Sequence, residues 1–284
     1  MTNMKVLTNN ILERNGKKPI VYDVYFTPNH SPKPIVIFCH GYKGFKDWGA
    51  WHLVAKAFAE AGFFFVKFNF SHNGGTVEDP IDFPDLEAFA QNNYSKELED
   101  LEAVINFIAT TKRFHEEAAV DTISLIGHSR GGGIVLIKAE ENKLVKKVVT
   151  WAGVSDYKTR FQEGSESFEN WKKTGRTYVE NGRTKQQMPH DWQFFEDFKQ
   201  NEERLSIKRA LESLEKPCLI VHGSEDETVA VEEAKKMKLW NNNASLKIIE
   251  GANHVFGSMH PWRENALPSN VEHVVSETIL FLRN

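Results

Sequence analysis

The chain of 284 residues predicts an α/β fold built on a mostly parallel, doubly wound sheet. Three observations carry this reading. Apolar strand-like runs alternate with helix-periodic runs, the pattern of a sheet covered by helices on both faces. Several of the runs, such as Pro34-Ile35-Val36-Ile37-Phe38-Cys39, are continuously apolar, as strands buried on both sides are. Finally, Gly127-His128-Ser129-Arg130-Gly131 joins the apolar run Thr122–Ile126 to a helix-compatible run, Ile134–Glu140. A Gly-x-Ser-x-Gly in that context is a nucleophile elbow.

Residues 4–12 and 19–27 alternate around Asn15-Gly16, which predicts a hairpin. The strand at 34–39 ends at His40-Gly41. Residues 50–61 have helical periodicity and stop at Gly62, a C-cap residue. Phe63–Phe70 reads as a strand, and 71–93 as a polar loop. Residues 95–111 form a helix with Ser95 as N-cap and Leu98, Leu101, Ile105 and Ile108 on one face. After the elbow come strands at 145–151, 218–221 and 245–249, with helices near 231–240 and 269–282. One segment, 155–213, interrupts this rhythm. It is polar, of mixed charge, and rich in aromatic residues, and it holds a predicted small hairpin, 177–179 with 184–186, around Asn181-Gly182. It reads as an insertion packing over the sheet edge, with Phe83, Phe89, Trp171, Trp192 and Phe195 as candidate pocket residues.

Composition excludes several classes. Hydrophobic residues make up 40% and charged residues 26%, as in an ordinary globular protein. The net charge of −4 comes without a basic stripe, which argues against a nucleic-acid partner. No apolar run is long enough to span a membrane, and the start lacks the apolar core of a signal peptide. Cys39 and Cys218 sit in apolar runs and read as buried free thiols, too few for a disulfide framework or a metal site. The expected setting is the cytoplasm, and a homodimer is a candidate assembly.

A serine hydroxyl needs a base, and the base needs an orienting group. The elbow predicts the chain order serine, acid, histidine. His222-Gly223-Ser224-Glu225-Asp226 follows the strand at 218–221, and Gly251-Ala252-Asn253-His254 follows the last strand. Both lie where open α/β sheets place their sites. Ser129, Asp226 and His254 are therefore the candidate nucleophile, orienting acid and base, with Glu225 and Glu227 as rivals to Asp226. The backbone amides of Arg130 and Tyr42 are the candidate oxyanion donors. His40 and Gly41 shape that loop, and the Arg130 side chain has two candidate partners, a carboxylate below the elbow or the substrate.

With these motifs in place, the chain resembles the α/β-hydrolase superfamily over roughly residues 20–284. It is most similar to small bacterial esterases related to feruloyl (cinnamoyl) esterases, and to prolyl-oligopeptidase-type and dienelactone-hydrolase-like enzymes. The resemblance implies one domain over 1–284, an eight-stranded mostly parallel sheet with its second strand antiparallel, a Ser-Asp-His triad, and 155–213 as an inserted lid. It implies no metal and no cofactor. His40, Gly41, His72, Trp171 and Trp192 are the expected substrate-pocket residues. The loop Ser71-His72-Asn73-Gly74-Gly75 departs from the Gly-His-Gly loop of feruloyl esterases. The expected activity is hydrolysis of small carboxylic esters through an acyl-serine, with no membrane involved. The alternatives are a peptidase acting on short peptides and a non-catalytic ligand-binding protein on the same fold.

Overall fold

β1 (Lys5–Arg14) and β2 (Lys17–Phe26) form the hairpin, turning at Asn15-Gly16, where Gly16 takes φ +69°. The structure is a computed structural model that describes residues 4–29 and 31–284. Residues 1–3, on which part of the leader reading rests, lie outside the described residues. The remaining strands are β3 (Lys33–Cys39), β4 (Phe64–Phe68), β5 (Ala118–His128), β6 (Val145–Trp151), β7 (Arg176–Glu180), β8 (Gln187–Asp191), β9 (Cys218–Gly223) and β10 (Ser245–Ile249). Eight of them form one sheet in the order β1-β2-β4-β3-β5-β6-β9-β10, while β7 and β8 pair with each other. β2 is antiparallel to both its neighbours, and all other pairs in the large sheet are parallel.

The helices are α1 (Trp51–Glu60), α2 (Leu86–Ala90), α3 (Tyr94–Thr110), α4 (Arg130–Glu141), α5 (Glu166–Thr174), α6 (Gln193–Gln200), α7 (Ile207–Ser213), α8 (Val231–Trp240) and α9 (Ser269–Arg283). One face of the sheet packs on α3, α4, α7 and α8, and the other on α1 and α9. The strands at the centre supply both cores. Ile35 and Ile37 of β3 face one layer, Val36 and Phe38 the other. This two-sided demand is why the run at 34–39 cannot alternate. Each such side chain, once fully buried, stabilises the fold by about 1.5–3 kcal/mol.

Some local expectations need correction. Asn93, not Ser95, caps α3: its side chain accepts from the Lys96 amide at 2.8 Å. Both residue types are good caps, so sequence alone does not separate them. The loop at 71–93 contains α2, capped by Asp85, whose side chain accepts from Ala88 N–H. Thr184-Lys185-Gln186 is the turn rather than a strand, since Glu180 pairs with Gln187. The segment at 155–213 does not cover an edge strand, because the edges are β1 and β10. Its residues lie instead over the ends of the strands that lead to Ser129 and Thr228. Its last helix, α7, returns to the sheet and packs on α4 and α8.

Candidate active site

The site is built from four loops at the C-terminal ends of β3, β5, β9 and β10. β5 ends at His128, and Ser129 then turns the chain into α4 with φ 56° and ψ −120°. A non-glycine residue there costs about 1–3 kcal/mol and persists only where its surroundings enforce it. Here they do. Ser129 N–H donates to Trp151 O (2.9 Å), and Ser129 O accepts from Gly132 and Val154 amides (2.9 and 3.2 Å). The elbow also needs its glycines: a Cβ on Gly131 would stand 2.6 Å from the carbonyl oxygens of both Cys39 and His40. One on Gly41 would stand 2.9 Å from Ser129 Cβ, so the β3 loop and the elbow approach each other closely.

Asp226 and His254, separated by 28 residues, meet through Oδ2 and Nδ1 at 2.8 Å. The other Asp226 oxygen, Oδ1, accepts from the Thr228 and Val229 amides at 2.9 and 2.8 Å. A second histidine shares the carboxylate. His222, fully buried, has its Nε2 2.8 Å from Val229 O and 3.2 Å from Asp226 Oδ2. Burial alone would raise the Asp226 carboxyl, but hydrogen bonds from His222, His254 and the Val229 amide outweigh it. They hold the group well below the ordinary carboxylate range. Glu225 and Glu227, the rivals, are exposed.

His128 braces the histidine loop. Its Nε2–H donates to the carbonyl of His254 at 2.9 Å, and the two rings lie 4.9 Å apart. Burial and the neighbouring His254 push His128 down to about 3, so its ring is neutral at pH 7.

The β3 loop is held from below. Lys46, buried, pairs with Asp23 at 2.9 Å, Lys67 pairs with Asp23 at 2.6 Å, and both also meet Asp47. Lys46 N–H donates to Asn69 Oδ1 (2.7 Å), and Gly44 N–H closes a turn on Gly41 O (3.1 Å). Among the described residues, neither the Tyr42 nor the Arg130 amide is taken up by a hydrogen bond. For Arg130 this follows from its place as the first residue of α4, which has no carbonyl four residues back to meet.

A cavity of about 470 Å³ opens on Ser129. Tyr42, Arg130, Trp171, Tyr157, His190 and Phe194 are among its walls. Of the two candidate partners of the Arg130 side chain, the structure shows the carboxylate: Nη1 lies 3.4 Å from Glu97 of α3, while the residue also lines the cavity. His40, His72 and Trp192 are not brought to the cavity. His40 is buried behind the loop, accepting from Phe70 N–H at Nε2 and donating from Nδ1 to Gly41 O (3.2 and 2.9 Å). His72 hydrogen-bonds Ser71 and faces a separate groove with Arg14 and Lys96. Trp192 packs against Trp171 and Phe195 in the core of the inserted segment. Phe83 and Phe89 cluster with Phe45 and Met188 behind Tyr42. His128, His190 and His222 take part in the site although the sequence assigns none of them a role. A histidine inside the apolar run at 218–222 was the available signal for His222; His190 had none.

This arrangement defines the class: an α/β-hydrolase fold, with the elbow, the acid loop and the histidine loop at the C-terminal ends of parallel strands. The chain belongs to the dienelactone hydrolase family, whose model matches residues 22–283, and is a hydrolase of that family. No curated protein matches it in a sequence search. Among solved structures it is similar to Est1E from Butyrivibrio proteoclasticus, at 17% identity over 96% of this chain and 98% of that one, with a TM-score of 0.70. The form of Est1E with ferulic acid bound gives a TM-score of 0.72 at 18% identity, over 95% and 98% of the two chains. A dienelactone hydrolase from Anabaena variabilis is similar at 15% identity, over 99% and 97%, with a TM-score of 0.63. No helix among the described residues is long and apolar enough to cross a membrane.

Proposed function

We propose that the protein hydrolyses carboxylic esters of small molecules through an acyl-Ser129 intermediate. One observation carries the reading: Asp226 orients His254 at 2.8 Å on a loop that His128, the residue before a strained Ser129, ties to the elbow, and Ser129 opens into a cavity. Ser129 Oγ attacks the ester carbonyl carbon, and its proton passes to His254 Nε2. Asp226 fixes the tautomer by accepting from Nδ1–H and stabilises the imidazolium. The Tyr42 and Arg130 amides hold the oxyanion. Collapse breaks the ester C–O bond, and the alcohol leaves with the proton from His254. Water then attacks the acyl-serine by the same route, releasing the acid. The inserted segment acts as a lid that chooses the acyl group. Its aromatic walls, Tyr157 among them, together with Tyr42 and Tyr94, suit a flat or unsaturated acyl chain.

The cavity walls favour an ester over a peptide. Among the described residues lining it there are two arginines, Arg130 and Arg160, and no carboxylate. The ammonium group of a peptide N-terminus would meet like charge there. The test is turnover of p-nitrophenyl esters graded by acyl length, with feruloyl and acetyl-sugar esters, against aminoacyl-naphthylamides. Ester turnover that disappears in Ser129→Ala is expected. Turnover of the naphthylamides alone, or an unaffected Ser129→Ala, would overturn the reading.

A further inference from the structure

The two residues whose amides are the proposed oxyanion donors also lock together through their side chains. The Arg130 guanidinium lies 4.4 Å from the centre of the Tyr42 ring, within reach of a cation–π contact. The rings of Tyr94 and Phe194 flank the same guanidinium at 5.3 Å. Tyr157 Oη donates to the Arg130 carbonyl at 2.9 Å. At the far end of the Tyr42 ring, its Oη hydrogen-bonds His190 Nε2 at 2.7 Å, across 148 residues of sequence. His190 belongs to β8, in the inserted segment, and is itself held by Trp171, whose Nε1–H donates to the His190 carbonyl at 2.8 Å. Its ring also lies 5.6 Å from the Tyr42 ring and 5.3 Å from Phe89.

We infer that His190 is a positioning residue that sets the oxyanion hole from the inserted segment, acting through the Tyr42 phenol and the Tyr42–Arg130 stack. The inference rests on the ester-hydrolase reading. Its physical basis is that Tyr42 sits on a turn, where one tether at the tip of a long side chain restricts how the backbone amide is aimed. The turn that Gly44 N–H closes on Gly41 O leaves the Tyr42 amide itself, among the described residues, without a hydrogen bond, so the aim of that amide rests on the side chain. The other donor, Arg130 N–H, is fixed by α4, so misaiming falls on Tyr42. Burial, with Arg130 and Lys43 close by, pushes His190 down to about 3, and the hydrogen bond therefore persists unchanged across neutral pH.

The test compares Tyr42→Phe, His190→Ala, His190→Gln and the double variant Tyr42→Phe/His190→Ala with the wild-type chain. Three readouts are taken: fluorophosphonate labelling of Ser129, kcat and KM for a p-nitrophenyl ester, and inhibition by a trifluoromethyl ketone, which forms an oxyanion on the serine. Tyr42→Phe and His190→Ala are each expected to lower kcat about tenfold, less than the loss of a whole oxyanion donor, with KM within about twofold. Ketone affinity falls in parallel with kcat. The double variant is no worse than either single one, because both cut the same bond. His190→Gln, whose amide can still meet the phenol, recovers most of the loss. Unchanged ketone affinity in labelled Tyr42→Phe and His190→Ala overturns the inference, as do additive losses in the double variant. A wild-type chain that the fluorophosphonate does not label overturns the ester-hydrolase reading first, and this inference with it.

Discussion

His128 donates a hydrogen bond from Nε2 to the backbone carbonyl of His254 at 2.9 Å, tying the residue before the proposed nucleophile to the proposed base. The contact spans 126 residues and two strand ends, so it fixes the spacing between the elbow and the histidine loop. His128→Leu keeps the bulk and removes the donor, leaving the His254 carbonyl without it. The expected result is a loss of about 10- to 100-fold in kcat, as for a small misplacement of a catalytic group, with the fluorophosphonate still reacting, only more slowly. Stopped-flow labelling alongside steady-state kinetics checks it. Unchanged labelling and turnover would remove His128 from the account.

Asp226, rather than Glu225 or Glu227, meets His254 in the structure and is the proposed orienting acid. Asp226→Asn is expected to lower kcat by about 10⁴-fold, because the amide can donate to His254 Nδ1 and favours the wrong tautomer. Glu225→Gln and Glu227→Gln should retain near-full turnover, since both side chains are exposed. A large loss in either glutamine variant would reassign the acid.

The strain at Ser129 predicts opposite responses of stability and activity. Ser129→Gly allows φ 56° without a Cβ and is expected to stabilise the fold by about 1 kcal/mol. Ser129→Ala keeps the strain and should leave stability close to that of the wild type. Both lose turnover. Urea unfolding of the three proteins separates them, and a glycine variant less stable than the alanine variant would contradict the strained turn.

Much of this arrangement was legible in the sequence because each element stands just after a buried strand. An apolar run of five or six residues followed by Gly-x-Ser-x-Gly, His-Gly-Ser-Glu-Asp or Gly-Ala-Asn-His announces both the strand and the loop at its end. The structure brings Asp226 and His254 together across those loops. What was not legible depends on contacts between distant segments. Whether His190 reaches the cavity depends on how residues 155–213 fold over the sheet, and whether His72 does depends on how its loop packs against β1 and α3; neither position carries a periodic pattern. Lys67 lies within a strand and looks, by itself, like a solvent-facing residue. It is buried because Asp23 and Asp47 meet it from two other places in the chain, with Lys46 sharing both carboxylates. The aromatic density at 157–198 did announce a covered surface, but Trp192 went into the segment's own core and Trp171 to the cavity wall, a choice set by packing alone.

Three buried histidines make stability fall as pH drops. Burial is the main cause that pushes His40 down to about 4 and His128 and His190 to about 3. In the unfolded chain each returns to about 6.5. The unfolded state therefore binds more protons below that value, so stability is greatest above about pH 6.5 and falls as pH drops toward about 4. Each histidine steepens the fall by up to about 1.4 kcal/mol per pH unit. Asp226, whose folded carboxyl is depressed, adds its own loss only below about pH 4. Urea midpoints at pH 7.5, 6 and 5 check this, and a flat profile would contradict neutral burial. His190→Gln should shallow the decline.

The central claim is that Ser129 becomes acylated. The most direct measurement is mass spectrometry of the chain quenched during turnover of a p-nitrophenyl ester, followed by peptide mapping. The predicted result is the mass of one acyl group on the peptide that contains Ser129, absent in Ser129→Ala and accumulating in His254→Ala only if acylation still proceeds without its base. An acyl group on any other residue, or full turnover by Ser129→Ala, would contradict the account.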